Sequence, residues 1–239
     1  MTTTQKFLND LFYSLNEPNL DYCVLRGYES LPEKISNDID FGVSDSCKVL
    51  FFDILKETAK NHDYSVQVEL IRHSVIKMKL SNRHGNIIKI DVWWQFNYLG
   101  LEYLCINKML SSRELYKNIF YVPSSEYEFA LSYLKELLHN SWIRKDKVEV
   151  LTRKMKKRSY LPFNKYFNKN MINDFFISVE TKKFKVKLLS VRAKNSILLK
   201  NIYCHGLFYV LINIYRYFKI RFFYRNEYYN LMRKLVDKK

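Results

Sequence analysis

Asp38-Ile-Asp-Phe-Gly-Val43 is the part of the chain from which we predict the fold. Apolar side chains alternate with carboxylates here, which is typical of a β-strand because successive side chains point to opposite faces. The apolar side chains therefore share the face that is buried, and Asp38 and Asp40 share the other. Two carboxylates with this spacing have Cα atoms about 7 Å apart, and they repel each other unless a cation lies between them.

A third carboxylate interrupts a later apolar run. Residues 87–93, Ile-Ile-Lys-Ile-Asp-Val-Trp, alternate like a strand, and Asp91 stands where a buried charge would be costly without a partner. Carboxylate oxygens are the ligands that a hard divalent cation such as Mg²⁺ prefers. We therefore predict that Asp38, Asp40 and Asp91 form one site for one or two metal ions.

The remaining secondary structure of the first half follows from the spacing of its apolar residues. Spacings of three and four predict helices, and strict alternation predicts strands. In chain order we predict a helix over 4–16, a strand over 21–26, a helix over 46–61, and strands over 66–70 and 75–80.

From about residue 100 the pattern becomes helical. Ser125 and Glu128 fit a capping box at the start of a Leu-rich helix, with Ser125 as the N-cap. The sequence therefore predicts an α/β protein in two parts. A small mixed-sheet domain covers residues 1–110, and a mostly helical, strongly basic domain with an aromatic C-terminal segment covers residues 111–239.

These residues resemble the nucleotidyltransferase superfamily, the fold of polymerase-beta-like enzymes. The shared pattern is an apolar strand ending in glycine, a loop, an Asp-x-Asp strand and a later strand with a third Asp. More narrowly, residues 24–32 followed by 36–41, and the region from 93 to 137, are similar to nucleotidyltransferase-like proteins found with bacterial surface-polysaccharide genes. The resemblance covers roughly residues 20–150.

The resemblance implies an activity and a metal site. Asp38 and Asp40 would bind both Mg²⁺ ions, and Asp91 would bind the ion nearer the nucleophile and help take its proton. The implied reaction is transfer of a nucleotidyl or phosphoryl group in surface-glycan assembly. The donor would be a nucleoside triphosphate, a nucleotide-sugar or a nucleotide-polyol, and the acceptor a sugar, a polyol or a lipid-linked glycan.

The resemblance also implies contacts with the nucleotide. Gly27 would let the backbone approach a phosphate. Where the superfamily usually has Ser or Gly next, this chain has Tyr28, so Ser30 would supply the hydroxyl contact. Arg26 would bind phosphate through its guanidinium, although a structural salt bridge is an equally good interpretation of that residue.

The positive charge of the chain is concentrated in its second half. The net charge is +16, and residues 111–239 hold 28 Lys and Arg against 10 Asp and Glu. The aromatic segment after residue 203 is too short and too interrupted to span a bilayer. It favours an anionic membrane surface or a lipid-linked substrate as partner, with a nucleic-acid groove and a core helix as alternatives. The basic residues predicted to contact a membrane are Arg216, Lys219, Arg221 and Arg225.

Composition excludes several classes of protein. With 48% hydrophobic residues, 5 Gly and 4 Pro, the chain is neither intrinsically disordered nor collagen-like. Four widely separated cysteines fit neither a disulfide framework nor a zinc site, and we expect a cytoplasmic protein, peripheral at the inner face of the membrane. Two other functions stay open. One is a catalytically inactive fold that binds membrane or RNA, and the other is a toxin-type nucleotidyltransferase that modifies RNA or protein.

Overall fold

A five-stranded mixed sheet organises the first half of the chain in this structure, a computed structural model. The described residues are 2–35, 38–140, 143, 145–155, 161–163, 167–181, 186–222 and 230. The strands are β1 (Tyr22–Val24), β2 (Ile39–Val43), β3 (Tyr64–Arg72), β4 (Val75–Asn82) and β5 (Ile87–Trp93). Their order across the sheet is β1-β2-β5-β4-β3, and all neighbours are antiparallel except β2 and β5, which are parallel.

Two helices cover one face of this sheet, α1 (Thr3–Asn16) and α2 (Lys48–Asn61). Phe41 of β2 lies between them, with its ring centroid 6.3 Å from that of Phe12 and 5.1 Å from that of Phe51. Because side chains alternate along a strand, burying Phe41 under the helices sends Asp40 to the opposite face. The predicted α/β architecture of this region is therefore confirmed.

Two short hairpins and a short helix occupy the region that we expected to be helical from residue 100. They are β6 (Phe96–Tyr98), β7 (Leu101–Leu104), α3 (Ile106–Ser111), β8 (Glu114–Tyr116) and β9 (Phe120–Val122). Leu99 and Gly100, which join β6 to β7, both have positive φ, 50° and 81°. The expectation was wrong because strands of three or four residues are too short to show a period of two.

The chain divides into two compact units that alternate along the sequence. One comprises Met1–Gln95, Ile106–Pro123 and Ile220–Lys239, and the other comprises Phe96–Cys105 and Ser124–Lys219. This division differs from our boundary at residue 110, because the β8–β9 hairpin packs with the first unit.

Two contacts hold the β8–β9 hairpin in the first unit. The ring centroid of Phe120 lies 4.5 Å from that of Phe12 in α1. The side-chain amide of Asn16 donates a hydrogen bond to the carbonyl of Ile119 at 2.7 Å. Sequence periodicity alone does not show these contacts, since about a hundred residues separate the partners.

Helices form most of the second unit: α4 (Ser125–Lys135), α5 (Lys145–Lys154), α6 (Lys169–Glu180), α7 (Val186–His205) and most of α8 (Leu207–Phe222). Aromatic stacking joins α4 to α6, where Phe129 and Phe176 lie with centroids 5.5 Å apart. The buried hydroxyls of Tyr133 and Ser178 are hydrogen-bonded at 2.6 Å. Of the helices that the structure describes, none has both the length and the apolar character needed to cross a bilayer.

The predicted capping box at the start of α4 is wrong. The helix already begins at Ser125, so the N-cap is Ser124, and its side chain makes no capping hydrogen bond. The backbone N–H of Glu128 donates to the carbonyl of Ser124 at 2.9 Å, which is the first bond of the helix itself. Only Ser125 fits the capping-box pattern, because Tyr127 rather than Glu or Gln follows Ser124 by three residues, so the pattern placed the start of the helix one residue too late.

Candidate metal centre

Strands β2 and β5 bring the three predicted carboxylates together. Asp40 and Asp91 are register partners on these adjacent parallel strands, so their side chains leave the sheet from the same face at the same level. Asp38 precedes Asp40 by two residues and lies immediately before β2. One carboxylate oxygen from each of the three lies within 4.8 Å of the other two. The predicted convergence of these residues is therefore present in the structure.

Burial makes the charge of this cluster costly. Asp40 and Asp91 are buried, whereas Asp38 is half-buried. Burial raises the pKa of the Asp91 carboxyl above its ordinary value, and the nearby charges of Asp40 and Asp38 raise it further, while Lys77 opposes both effects. Negative charges in this position need cations beside them.

Arg26 is the first of these cations. The backbone N–H of Leu25, the residue after β1, donates to the carbonyl of Asp40 at 2.8 Å. This bond holds the chain beside the cluster just before Arg26. Arg26 Nε then donates to Asp40 Oδ2 at 2.5 Å, and Trp93 Nε1 donates to Asp40 Oδ1 at 3.0 Å. Burial lowers the pKa of the Arg26 guanidinium, but the Asp40 charge and hydrogen bond outweigh this, and its pKa is raised overall.

Lys77 is the second cation, and sequence reasoning missed it. In the antiparallel pairing of β4 with β5, Lys77 is the register partner of Asp91, and its Nζ donates to Asp91 Oδ2. The alternation of residues 75–80 indicates that Lys77 and Lys79 share a face, but not which of them meets Asp91. That depends on the register of the hairpin, which is fixed by its turn.

Two further lysines extend the positive charge on the same face of the sheet. Lys79 on β4 and Lys89 on β5 are direct register partners. Lys79 follows Lys77 by two residues, and Lys89 precedes Asp91 by two residues. Like charges that face each other across two strands destabilise the pairing. An anion on this face would relieve that repulsion.

The predicted nucleotide contacts other than Arg26 lie in the loop that follows β1. Gly27 has φ of 68°, a left-handed conformation that favours glycine. The hydroxyl of Ser30 donates to the carbonyl of Lys34 at 2.9 Å within its own loop, and no described contact links it to the carboxylates. Tyr28 is buried, with its ring edge-on to that of Tyr116 at a centroid distance of 5.0 Å. Tyr28 is thus a core residue.

The carboxylate face is closed on one side of Asp40. Gly42 follows Asp40 by two residues on the same face. A Cβ atom at Gly42 would lie 2.8 Å from Leu25 Cδ2 and 3.1 Å from Met109 Cε of α3. Any side chain at this position would have to displace the ends of the Leu25 and Met109 side chains, which lie close to the backbone of β2.

Comparisons with known proteins do not identify a family. No family model matches the chain, and no curated protein matches it. A solved structure described as "Crystal structure of JHP933 from Helicobacter pylori" matches 87% of this chain and 94% of its own, with a TM-score of 0.39 and 10% identity. A TM-score this low does not establish a common fold, so the function proposed below rests on the residues of this chain.

Proposed function

We propose that this protein is a Mg²⁺-dependent enzyme that transfers a nucleotidyl or phosphoryl group to a sugar or polyol hydroxyl. The observation that carries the proposal is the convergence of Asp38, Asp40 and Asp91, whose carboxylate oxygens lie within 4.8 Å of one another. The resemblance of these motifs to nucleotidyltransferase-like proteins supports a nucleoside triphosphate, a nucleotide-sugar or a nucleotide-polyol as donor. It also supports a surface-glycan precursor, free or lipid-linked, as acceptor.

The donor set of the cluster fits a hard divalent cation. All three side chains offer oxygen, which Mg²⁺ prefers to nitrogen or sulfur. Three carboxylates against the cations Arg26 and Lys77 leave the cluster with an excess of negative charge when all are ionised. Asp38, Asp40 and Asp91 would hold the metal. When bound, Mg²⁺ would polarise the phosphoryl oxygens and favour ionisation of the attacking hydroxyl.

The surrounding side chains suit the handling of a phosphorylated donor. The contact of Arg26 Nε with Asp40 uses one of the five N–H donors of a guanidinium, a group whose planar fork matches phosphate oxygens. Lys79 and Lys89 add two cations on the same face. Asp91, whose carboxyl pKa is raised, would accept the proton of the acceptor hydroxyl.

One observation favours the inactive alternative, a nucleotidyltransferase fold that only binds. Arg26 and Lys77 already pair with the two buried carboxylates, so the cluster has cations from the protein itself. If these pairs were permanent, the face would be a structural ion-pair network without affinity for metal. Metal binding therefore separates the two functions.

Transfer from labelled nucleotides tests the proposed reaction. Nucleoside triphosphates labelled at the α- or γ-phosphate would be incubated with the protein, Mg²⁺ and a panel of sugar and polyol acceptors. Label from the α-position indicates nucleotidyl transfer, and label from the γ-position indicates phosphoryl transfer. Asp40→Asn should abolish either, whereas Asp53→Asn, which alters an exposed carboxylate of α2, should not. Label that enters RNA or protein instead of the small acceptors would contradict the proposed acceptor.

A further inference from the structure

The solvent-facing side of α8 is apolar, which is unusual for a surface helix. Phe208 is 82% exposed, Tyr215 62% and Leu211 52%. These residues are spaced three, four and seven apart, so they form one stripe along the helix. Three more exposed apolar side chains border the stripe, namely Leu207, Ile212 and Phe218. Exposed apolar stripes of this extent mark an interaction surface.

The opposite side of α8 is fixed within the second unit. Val210 is buried. A Cβ atom at Gly100 would lie 2.7 Å from the carbonyl oxygen of Asn213 and 3.1 Å from Tyr217 Cβ. The helix therefore packs closely on the β6–β7 turn through its other face. Within the part of the unit that the structure describes, the apolar stripe is the exposed side of α8.

Charge indicates what covers the stripe. Residues 181–226 contain eleven Lys and Arg and no Asp or Glu. Two of these cations lie beside the stripe on α8. Arg216 is exposed, and Lys219 Nζ lies 5.6 Å from the ring centroid of Tyr215. An apolar centre with cationic and tyrosine borders is complementary to a lipid surface with anionic headgroups.

We propose that α8 lies in the headgroup region of an anionic membrane, with its apolar stripe inserted and its basic residues against the lipid phosphates. A 16-residue helix is about 24 Å long, enough to rest along the interface without crossing it. Of the basic residues predicted for this contact, Arg216 and Lys219 flank the stripe, Arg221 is exposed near the helix end, and Arg225 lies outside the described residues. This inference does not depend on the metal centre.

Two other occupants fit the surface less well. A second copy of the chain would bring the same acid-free, basic segment against itself, so like charges would repel across the contact. RNA would need cations and hydrogen-bond donors at the centre of the surface. Here the centre is Phe208 and Leu211, and the cations lie at the edge.

Vesicle flotation tests the proposal. The full chain is mixed with vesicles of phosphatidylcholine alone or with about a third phosphatidylserine. We expect it to float with the anionic vesicles only and to be released at high salt, because the Debye length shortens to about 3 Å at 1 M. Phe208→Ser with Leu211→Ser should weaken partitioning about tenfold or more. Arg216→Gln with Lys219→Gln should weaken it about fivefold per charge.

A matched control tests whether removing an exposed aromatic side chain elsewhere on the protein also weakens flotation. Tyr13 of α1 is 69% exposed, and Tyr13→Ser should leave flotation unchanged. Since the altered side chains are exposed, apart from the half-buried Lys219, thermal unfolding of the variants should match the wild type. Four outcomes would overturn the proposal. They are equal flotation with neutral vesicles, flotation unaffected by the Phe208/Leu211 variant, a dimer that this variant dissociates, and RNA binding that only the Arg216/Lys219 variant removes.

Discussion

Asp40 on β2 and Asp91 on β5 are partners at equal register on the two parallel strands of the sheet. In parallel pairing, residues at equal register project from the same face, so this relationship brings two carboxylates of distant sequence side by side. Asp38 joins them because it is two residues upstream of Asp40. The pairing thus places three acidic side chains on a face that the helices α1 and α2 leave uncovered.

Replacing Asp40 should remove metal binding and also lower stability. In Asp40→Asn the amide cannot neutralise Arg26, so we expect a loss of about 1–2 kcal/mol of unfolding free energy, reduced by the partial exposure of the guanidinium. Arg26→Gln in the same chain should recover part of that loss, because no unpaired charge then remains. Denaturant unfolding of the four members of this double-mutant cycle measures the loss of unfolding free energy and its partial recovery. Additive losses would show that the two side chains do not interact.

Replacing Lys77 should change metal and nucleotide binding in opposite directions. Lys77 Nζ donates to Asp91 Oδ2 and so competes with a divalent cation for that carboxylate. Lys77→Met should therefore tighten Mn²⁺ binding, while it weakens the binding of a nucleoside triphosphate by removing a cation. Lys79→Met is the matched control, since Lys79 faces Lys89 rather than a carboxylate, and it should weaken nucleotide binding alone. Weaker Mn²⁺ binding in Lys77→Met would contradict the competition.

When the pH is lowered, the affinity for metal should begin to fall at a higher pH than it would if Asp91 had the ordinary pKa of an aspartate. The pKa of Asp91 is raised above its usual 3.8, and metal binds the ionised carboxylate. As pH falls through that raised pKa, protonation of Asp91 removes a ligand. The raised pKa also means that Asp91 contributes most to the stability of the folded state when it is protonated. This contribution is lost as the pH rises through the pKa that Asp91 has in the folded protein. Calorimetric Mn²⁺ titrations at a series of pH values measure the first effect, and unchanged affinity down to pH 3.8 would contradict it.

Enlarging Gly42 should destabilise the first unit. In Gly42→Val the new side chain would meet Leu25 Cδ2 and Met109 Cε, and overpacking of this kind costs about 1–3 kcal/mol. The melting temperature should fall accordingly. Gly42→Ala provides the comparison, because it adds only a Cβ atom against the ends of two flexible side chains and should lower the melting temperature less than Gly42→Val. An unchanged melting temperature for Gly42→Val would contradict this prediction, because it would show that α3 accommodates the larger side chain without a loss of stability.

The part of the site that lies along single strands could be predicted from the sequence. Alternation alone assigned Asp38 and Asp40 to one face of β2, and the unusual charge in an apolar run identified Asp91. Two partners of these carboxylates could not be predicted, because they depend on pairing between strands. Lys77 meets Asp91 through the β4–β5 register, and Trp93 reaches Asp40 through the β2–β5 pairing.

The least predictable region lay between residues 96 and 122. Its strands have three or four residues, so they show no recognisable period, and turn residues with positive φ such as Leu99 and Lys117 are not glycine. The hairpin β8–β9 belongs to the first unit through contacts with α1, about a hundred residues earlier. The phosphate contact of Ser30 stays a prediction from the resemblance, and the hydroxyl of Ser30 donates a hydrogen bond to the carbonyl of Lys34 in the same loop.

A Mn²⁺ titration followed by calorimetry tests whether the Asp38–Asp40–Asp91 cluster is a divalent-metal centre. The wild-type chain would be compared with Asp91→Asn and with Asp53→Asn, a control at an exposed carboxylate. If the cluster binds metal, we expect saturable binding in the wild type and in Asp53→Asn, and its loss in Asp91→Asn. Equal heats for all three proteins would contradict it, and the cluster would then be an ion-pair network held by Arg26 and Lys77.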